Sequence, residues 1–433
     1  MHHRVLIVGT VPYNRQTSSR AFESYFSNWE KENLYQIFSN PREPVHGHCD
    51  SLYQITDKRM LVRHVKKIDT GVIFYDKDLN DEWETLPKQK STSLISKLYG
   101  LGSHKSPVNY LLRGWLWKKK YWCTSKLNEW LDGFSPECVF LAFSDDYFIP
   151  QIALYIAEKY DIPIISCIGD DYFFNDRKSI SPLYYFYRAT YKKLVKRLFA
   201  HGGSAAYIGD KIRDKYNEEF GLKGQTVYLT SELCRHEFRP IDAIKPYISY
   251  CGNIRLGRAE SLCLIASALG KINSNYKIHV FSNESEERYY KKLKKHPNVI
   301  YGGAIPYSEV KNVMNQSDVL LIVEGFEEKD IDITRYSLST KVADSLAVGG
   351  AVLTFGSIEC GAIEYMKQID CGPVCTEASQ LEEKIIKLLS DVNYQRANYY
   401  RAREISKLNH NLQNSNRVFE GIVETAIAEY TRD

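Results

Sequence analysis

The sequence predicts an α/β protein of two Rossmann-like domains, and three observations predict it. The chain has 433 residues, more than the roughly 250–300 at which one hydrophobic core stops growing. Short apolar runs alternate with helix-periodic segments, the order that builds parallel sheets. The segment from Arg239-Pro240 to Lys245-Pro246 interrupts that alternation with two prolines and little periodicity, which marks a linker. The expected boundaries are an N-terminal domain over 1–238, a C-terminal domain over 247–415, and a terminal helix over 416–433 that crosses back to the first domain.

In the first domain Val5–Val8 reads as the opening strand and ends in the loop Gly9–Asn14. The helix after it sets Ala21, Phe22, Tyr25, Phe26 and Trp29 on one face. Val72–Tyr75 is a further strand, and the polar stretch 80–110 reads as a long loop. Helices over Lys126–Leu131 and Gln151–Lys159 flank a strand at Cys138–Phe143. The strand over 162–168 ends at Gly169-Asp170-Asp171. A basic, aromatic helix from about Leu183 to Phe199, a strand at Ala205–Ile208, a helix at Asp210–Phe220 and a strand at Val227–Leu229 complete the series. The second series opens with the strand Tyr247–Tyr250 and a helix carrying Leu262, Ile265, Leu269 and Ile272. Strands follow at Lys277–Phe281, Val299–Tyr301, Val319–Val323 and Ala351–Phe355, with helices at Glu309–Met314, Ser339–Ala347 and Gln380–Leu389. The tail from Gln395 to Tyr430 reads as one or two helices.

Composition narrows the class. A formal net charge of +4 gives no polyelectrolyte signal, so nucleic acid is not the expected partner. Ten cysteines are scattered with no Cys-x-x-Cys pair, which fits a reducing cytoplasm and gives no zinc pattern. No apolar run reaches the roughly 18 residues of a membrane span, and the first run is too short for a signal peptide. Arg113–Trp122 mixes lysines with three tryptophans. It reads equally as a contact with an anionic membrane surface or as a helix with its aromatics in the core. The acidic loop after Val323 reads as a solvated loop.

Ligands of open parallel sheets bind beyond the carboxyl ends of strands, so the residues just after each strand are the candidates. Gly252-Asn253 lets a backbone approach a ligand, and Arg255 and Arg258 have the geometry to clamp phosphate oxygens. Ser339-Thr340-Lys341 opens a helix whose free N–H groups suit a phosphate, and Asp344 lies one turn further in, where it can accept from ribose hydroxyls. Gly9 and Thr10, with Ser18-Ser19-Arg20 beyond, occupy the end of the first strand. Asp170 and Asp171 are two carboxylates able to position or deprotonate an acceptor hydroxyl. Each has a plain structural alternative as a turn or a capped helix.

The run Tyr336-Ser337-Leu338-Ser339-Thr340-Lys341-Val342-Ala343-Asp344 through Gly349-Gly350 resembles the donor-site signature of GT-B-fold glycosyltransferases, close to the bacterial family-4 (retaining, group 1) enzymes. Tyr250-Cys251-Gly252-Asn253 with Arg255 and Arg258, and Ile369-Asp370-Cys371-Gly372-Pro373-Val374, match in order, and the likeness covers about 205–389. The resemblance implies two domains facing across a cleft and transfer of a sugar, with retention, from a nucleoside diphosphate sugar to an acceptor hydroxyl. It implies polysaccharide or glycoconjugate synthesis, a glycan or lipid-linked acceptor and no metal cofactor. The cysteine usage and the Arg113–Trp122 stretch add the expectation of a cytoplasmic enzyme that touches the inner membrane surface peripherally. The resemblance assigns Arg255 and Arg258 to the leaving diphosphate, Ser339, Thr340 and Lys341 to the same phosphates, Asp344 to the ribose, and Gly9 and Thr10 to the sugar or phosphate. The chain departs from the family where Tyr336 replaces the first of two glutamates, and where Gly169-Asp170-Asp171 replaces a histidine. Glu324-Gly325-Phe326 looks like the family's Glu-Gly-Phe but lies too far from Gly349, and reads as a decoy. Two rival readings stay open: a non-catalytic partner subunit with this fold, and a sugar-nucleotide epimerase.

Overall fold

The computed structural model describes residues 2–13, 20–81, 107–176, 179–234 and 237–431. Asn14, Ser18, Ser19 and most of the stretch 80–110 lie outside the described residues. The chain forms two compact units: Met1–Tyr207 with Arg213–Val227 and Asn416–Asp433, and Ile208–Ile212 with Tyr228–Ser415.

The first unit holds strands β1 (Val5–Val8), β2 (Leu34–Phe38), β3 (Ser51–Ile55), β4 (Gly71–Tyr75), β5 (Cys138–Ala142), β6 (Ile164–Ile168), β7 (Gly203–Tyr207) and β8 (Gln225–Thr226). They make one sheet in the order β4-β3-β2-β1-β5-β6-β7-β8. Every pairing is parallel except the antiparallel β3–β4 pair. Every residue of β1 is buried, as expected for a strand covered on both faces. Strands β2 and β3 are absent from the sequence reading because a glutamine interrupts each apolar run. Both glutamines face inward and fasten strand-end loops. Gln36 accepts the Tyr13 N–H (2.8 Å) and donates to the Val11 carbonyl (2.9 Å), and Gln54 donates to the carbonyls of Asn40 and Arg42. The last strand ends three residues earlier than its apolar run suggests. The Val227 N–H still reaches Tyr207 O (2.8 Å), but from Tyr228 the chain belongs to the second unit.

Most of the final helix, Leu412–Tyr430, packs in the first unit, where Phe419, Ile422, Val423 and Ala426 join the core around Phe26 and Phe140. Asn416 ties it down by donating to the carbonyls of Glu23 (3.1 Å) and Ser24 (2.8 Å). In the Arg113–Trp122 stretch, Trp117 and Trp122 are core residues and Trp115 is half exposed. The core reading therefore holds for Trp117 and Trp122, and Trp115 lies at the surface.

The second unit contains β9 (Ile248–Cys251), β10 (Ile278–Phe281), β11 (Val299–Gly303), β12 (Val319–Val323), β13 (Ala351–Phe355) and β14 (Val374–Cys375). All run parallel in the order β11-β10-β9-β12-β13-β14. This is the 3-2-1-4-5-6 order of a Rossmann sheet. The chain winds one way after β9 and the other way after β12, so a crevice opens beyond the carboxyl ends of these two neighbours. The first unit reverses in the same manner between β1 and β5. Among the described residues no helix is long and apolar enough to cross a membrane.

Candidate functional site

At the reversal in the second unit, β9 runs out into Cys251-Gly252-Asn253 and β12 into Glu324-Gly325. Gly252 sits at φ 152, and a Cβ placed there would come 2.9 Å from Lys341 Nζ. Glycine is favoured there by the backbone conformation, and its lack of a Cβ lets the lysine tip lie close. The loop continues through Leu256 (φ 58) and Gly257 (φ 73) into the helix Arg258–Ile272. The tight turn places Gly257 so close to Gly325 that a side chain would lie 2.8 Å from its Cα.

Arg258 opens that helix and is buried, with Glu324 as its partner. The contact is bidentate, Nε to Oε2 at 2.9 Å and Nη2 to Oε1 at 3.1 Å. Glu324 is 2% exposed, and its own backbone carbonyl accepts Ser261 Oγ at 2.8 Å. Burial pushes its carboxyl up, while Arg258 and Lys341 pull it back. For Arg258, burial works against the charge and Glu324 outweighs it, leaving the guanidinium pKa raised. Glu324 itself directly follows the central strand Val319–Val323. One expectation is corrected here. The acidic loop is not simply solvated: Asp330 is buried as well, and Glu328–Thr334 forms a short helix.

Lys341 enters from the first turn of the helix Thr340–Val348, behind Ser339 as its N-terminal cap position. Its ammonium lies over the Tyr250 ring, 5.3 Å from the centroid. Burial, with the Arg258 charge adding to it, lowers its pKa to about 8. Among the described residues it forms no salt bridge. Asp344, one turn on, is buried and accepts Ser231 Oγ at 2.6 Å. Ser339 is half-buried and Thr340 exposed, and neither side chain caps the helix. Asn253 accepts the Arg255 N–H through its side chain (2.7 Å) and the Tyr250 hydroxyl through its carbonyl (2.5 Å).

Arg255 differs from Arg258. Its side chain is 42% exposed and is held by Glu284 through two hydrogen bonds and by Glu286 at 2.8 Å. The Glu284 bonds raise its pKa further, and the same contact lowers Glu284 to about 2. The two arginines expected as a clamp are thus both matched by carboxylates, and Lys341 is the cation left without one.

In the first unit, the Gly9 N–H bonds Ile37 O (3.0 Å), and the Thr10 carbonyl accepts Asn40 N–H (2.8 Å). A Cβ on Gly9 would lie 3.2 Å from Ala142 Cβ, so β1 and β5 approach closely there. The two aspartates after β6 are not equivalent. Asp171 is buried and accepts from Phe173 N–H (3.0 Å), Phe174 N–H (2.8 Å) and Tyr216 OH (2.8 Å), all on one oxygen. Burial raises its pKa. That geometry makes Asp171 the fastener of its turn, whereas Asp170 is exposed. Ser144-Asp145-Asp146, at the end of β5 beside the reversal, is absent from the sequence reading. It is anchored by Tyr191 OH to Ser144 O (2.6 Å), Tyr187 OH to Asp145 O (2.6 Å) and an ion pair of Asp146 with Arg113.

No family model matches the chain, and no curated protein matches it. Solved structures do. TarM superposes with a TM-score of 0.61 at 8% identity, over 97% of this chain and 98% of that one. HepE of Anabaena, solved with UDP, gives 0.57 at 10% identity over 98% and 100%. A glycosyltransferase of Rickettsia africae gives 0.51 at 12% identity over 97% and 98%. What the chain shares with these proteins is their fold, the two-domain α/β GT-B architecture.

Proposed function

We propose that the protein is a glycosyltransferase that moves a sugar, with retention, from a nucleoside diphosphate sugar to an acceptor hydroxyl. The observation that carries the reading is the Gly252–Lys341–Arg258–Glu324 cluster at the sheet reversal of the second unit. Support comes from the fold shared with HepE, which has been solved with UDP and with UDP-glucose. The diphosphate would lie on the Gly252-Asn253 backbone and on the N–H groups at the start of Thr340–Val348, where the helix dipole favours negative charge. Lys341 would supply the compensating cation and Asp344 would take the ribose. Arg255, turning from Glu284, would stabilise the charge that develops on the leaving phosphate. The bond from the sugar's anomeric carbon to phosphate oxygen breaks and a bond to the acceptor oxygen forms, the acceptor proton leaving with the diphosphate. Side-chain cations meet the diphosphate charge, so the reading invokes no metal. Gly9, Thr10 and Asp170 are the first unit's groups for the acceptor. The proposed setting is cytoplasmic glycoconjugate or polysaccharide synthesis, at the membrane surface.

Thermal stability against UDP, GDP, dTDP and ADP and their sugar conjugates tests the reading. A selective rise with one nucleotide, and release of that nucleotide from its sugar conjugate, is expected. A rise without any turnover would instead favour the partner-subunit reading, which the matched state of both arginines motivates. No rise with any nucleotide would remove the donor site.

A further inference from the structure

The first unit carries an apolar surface that its own core does not use. Helix Pro107–Leu116 exposes Val108, Leu112 and Trp115, the last two at 58% and 51%. Their spacing of four and three places them on one stripe. Helix Pro182–Ala200 exposes Leu183 and Phe186, and Ile180 just before it is fully exposed. The two helices are neighbours, joined by Tyr110 stacked on Tyr187 with ring centroids 4.5 Å apart. Scattered exposed apolar residues are ordinary, but two adjacent helices each presenting large ones mark a contact surface.

Charge decides what it contacts. Neither helix, nor the turn Lys119–Trp122, contains an Asp or Glu. Lys118, Lys119 and Lys120 follow the first stripe, and Lys193 and Lys196 lie exposed along the second helix. None of these five forms a salt bridge among the described residues, whereas Arg188 and Lys192 are matched by Asp176 and Arg197 by Glu158. A second copy of this chain meeting the same face would set lysines against lysines, a repulsive arrangement. An anionic bilayer supplies an apolar interior for the stripe and phosphates for the lysines at once.

We propose that the face built from helices Pro107–Leu116 and Pro182–Ala200, with Lys118–Lys120 at its border, docks the protein onto an anionic lipid surface. This deepens the membrane setting proposed above by naming the surface, and vesicle binding needs no donor, so the two readings fail separately. The test is co-sedimentation of the full chain with phosphatidylcholine vesicles, with and without phosphatidylglycerol. Two variants accompany it, Leu112→Glu/Phe186→Glu and Lys118→Glu/Lys120→Glu. All four side chains are exposed, so both variants should melt with the wild type and keep the wild-type response to nucleotide. Binding is expected only when phosphatidylglycerol is present, with each variant losing about tenfold or more in partition. Absence of wild-type binding, equal binding to neutral vesicles, or unchanged binding in both variants overturns the proposal. So does loss of a solution dimer in the Leu112→Glu/Phe186→Glu variant, which would assign the face to a second copy.

Discussion

Replacing Lys341 with Met probes the proposed donor site most directly, because two effects of opposite sign meet there. Burial, and then Arg258, hold the free lysine at a pKa of about 8. Its folded value therefore lies below its unfolded one. Above pH 8 the unfolded chain keeps a proton that the folded chain has released, so this group makes stability rise with pH from about 8 to about 10.5. At neutral pH the buried charge costs up to about 3 kcal/mol. Lys341→Met removes that cost and the pH-dependent rise, so the unliganded variant should be at least as stable as the wild type at pH 7. A bound diphosphate reverses the balance by holding the lysine charged. A charge-assisted hydrogen bond contributes about 1.5–3 kcal/mol, so the variant should bind nucleotide about ten- to 150-fold more weakly. In the wild type the affinity is fully present below pH 8 and falls by up to about tenfold per pH unit above it, as binding must then recover a proton. Titration calorimetry across pH, beside thermal melts without ligand, measures both. Equal affinity in wild type and variant, or a wild-type affinity flat across pH 8, would refute Lys341 as the phosphate cation.

Three further outcomes follow from the same geometry. Glu324→Ala strands the buried Arg258 guanidinium and should lower unfolding free energy by about 3–5 kcal/mol in urea titration; a loss below 1 kcal/mol, on the order of an exposed pair, would contradict a buried bridge. Asp171→Ala leaves the Phe174 N–H and the Tyr216 hydroxyl without this acceptor, the Phe173 N–H keeping only Tyr216 OH at 3.3 Å, and should cost about 2–3 kcal/mol of stability. Asp170→Ala should leave stability intact and affect only transfer, and the reverse pattern would return Asp171 to the role of base. Arg255→Ala leaves the nearly buried Glu284 carboxylate without its partner, so the melting temperature should fall, and turnover of the donor by the folded variant should drop about 10²–10³-fold; unchanged turnover takes Arg255 out of the reaction.

How much of this was legible in the sequence depends on what each residue faces. Strands made of continuous apolar residues, such as β1, β5 and β12, announce themselves, because burial on both faces demands apolar side chains throughout. Strands β2 and β3 do not, since Gln36 and Gln54 sit inside them for a tertiary reason, the anchoring of loops distant in sequence. The same limit governs the site. The strand-end position of Gly252 and Asn253 and the helix-start position of Lys341 are readable. Glu324 is not, because its meaning comes from Arg258, 66 positions away, and spacing along the chain carries no record of that contact. Asp170 and Asp171 look alike as adjacent letters. Tyr216 and two backbone N–H groups make one of them structural.

The pairing of Glu324 with Arg258 also changes what the arginines can do. A guanidinium that is buried, bidentate and at the first position of a helix cannot swing out without stranding a carboxylate, at a cost of several kcal/mol. Arg258 is therefore suited to hold the Gly252–Gly257 loop and the start of its helix in place, which makes it a positioning residue. Arg255 has the opposite properties. It is partly exposed and shared between the nearly buried Glu284 carboxylate and the partly exposed Glu286, so a diphosphate would have to compete with the Glu284 pair to engage it. Under the proposed reading, contact with the donor would divide between Lys341 and Arg255, with Arg258 fixing the frame, and the symmetric arginine clamp read from the sequence would resolve into two different tasks.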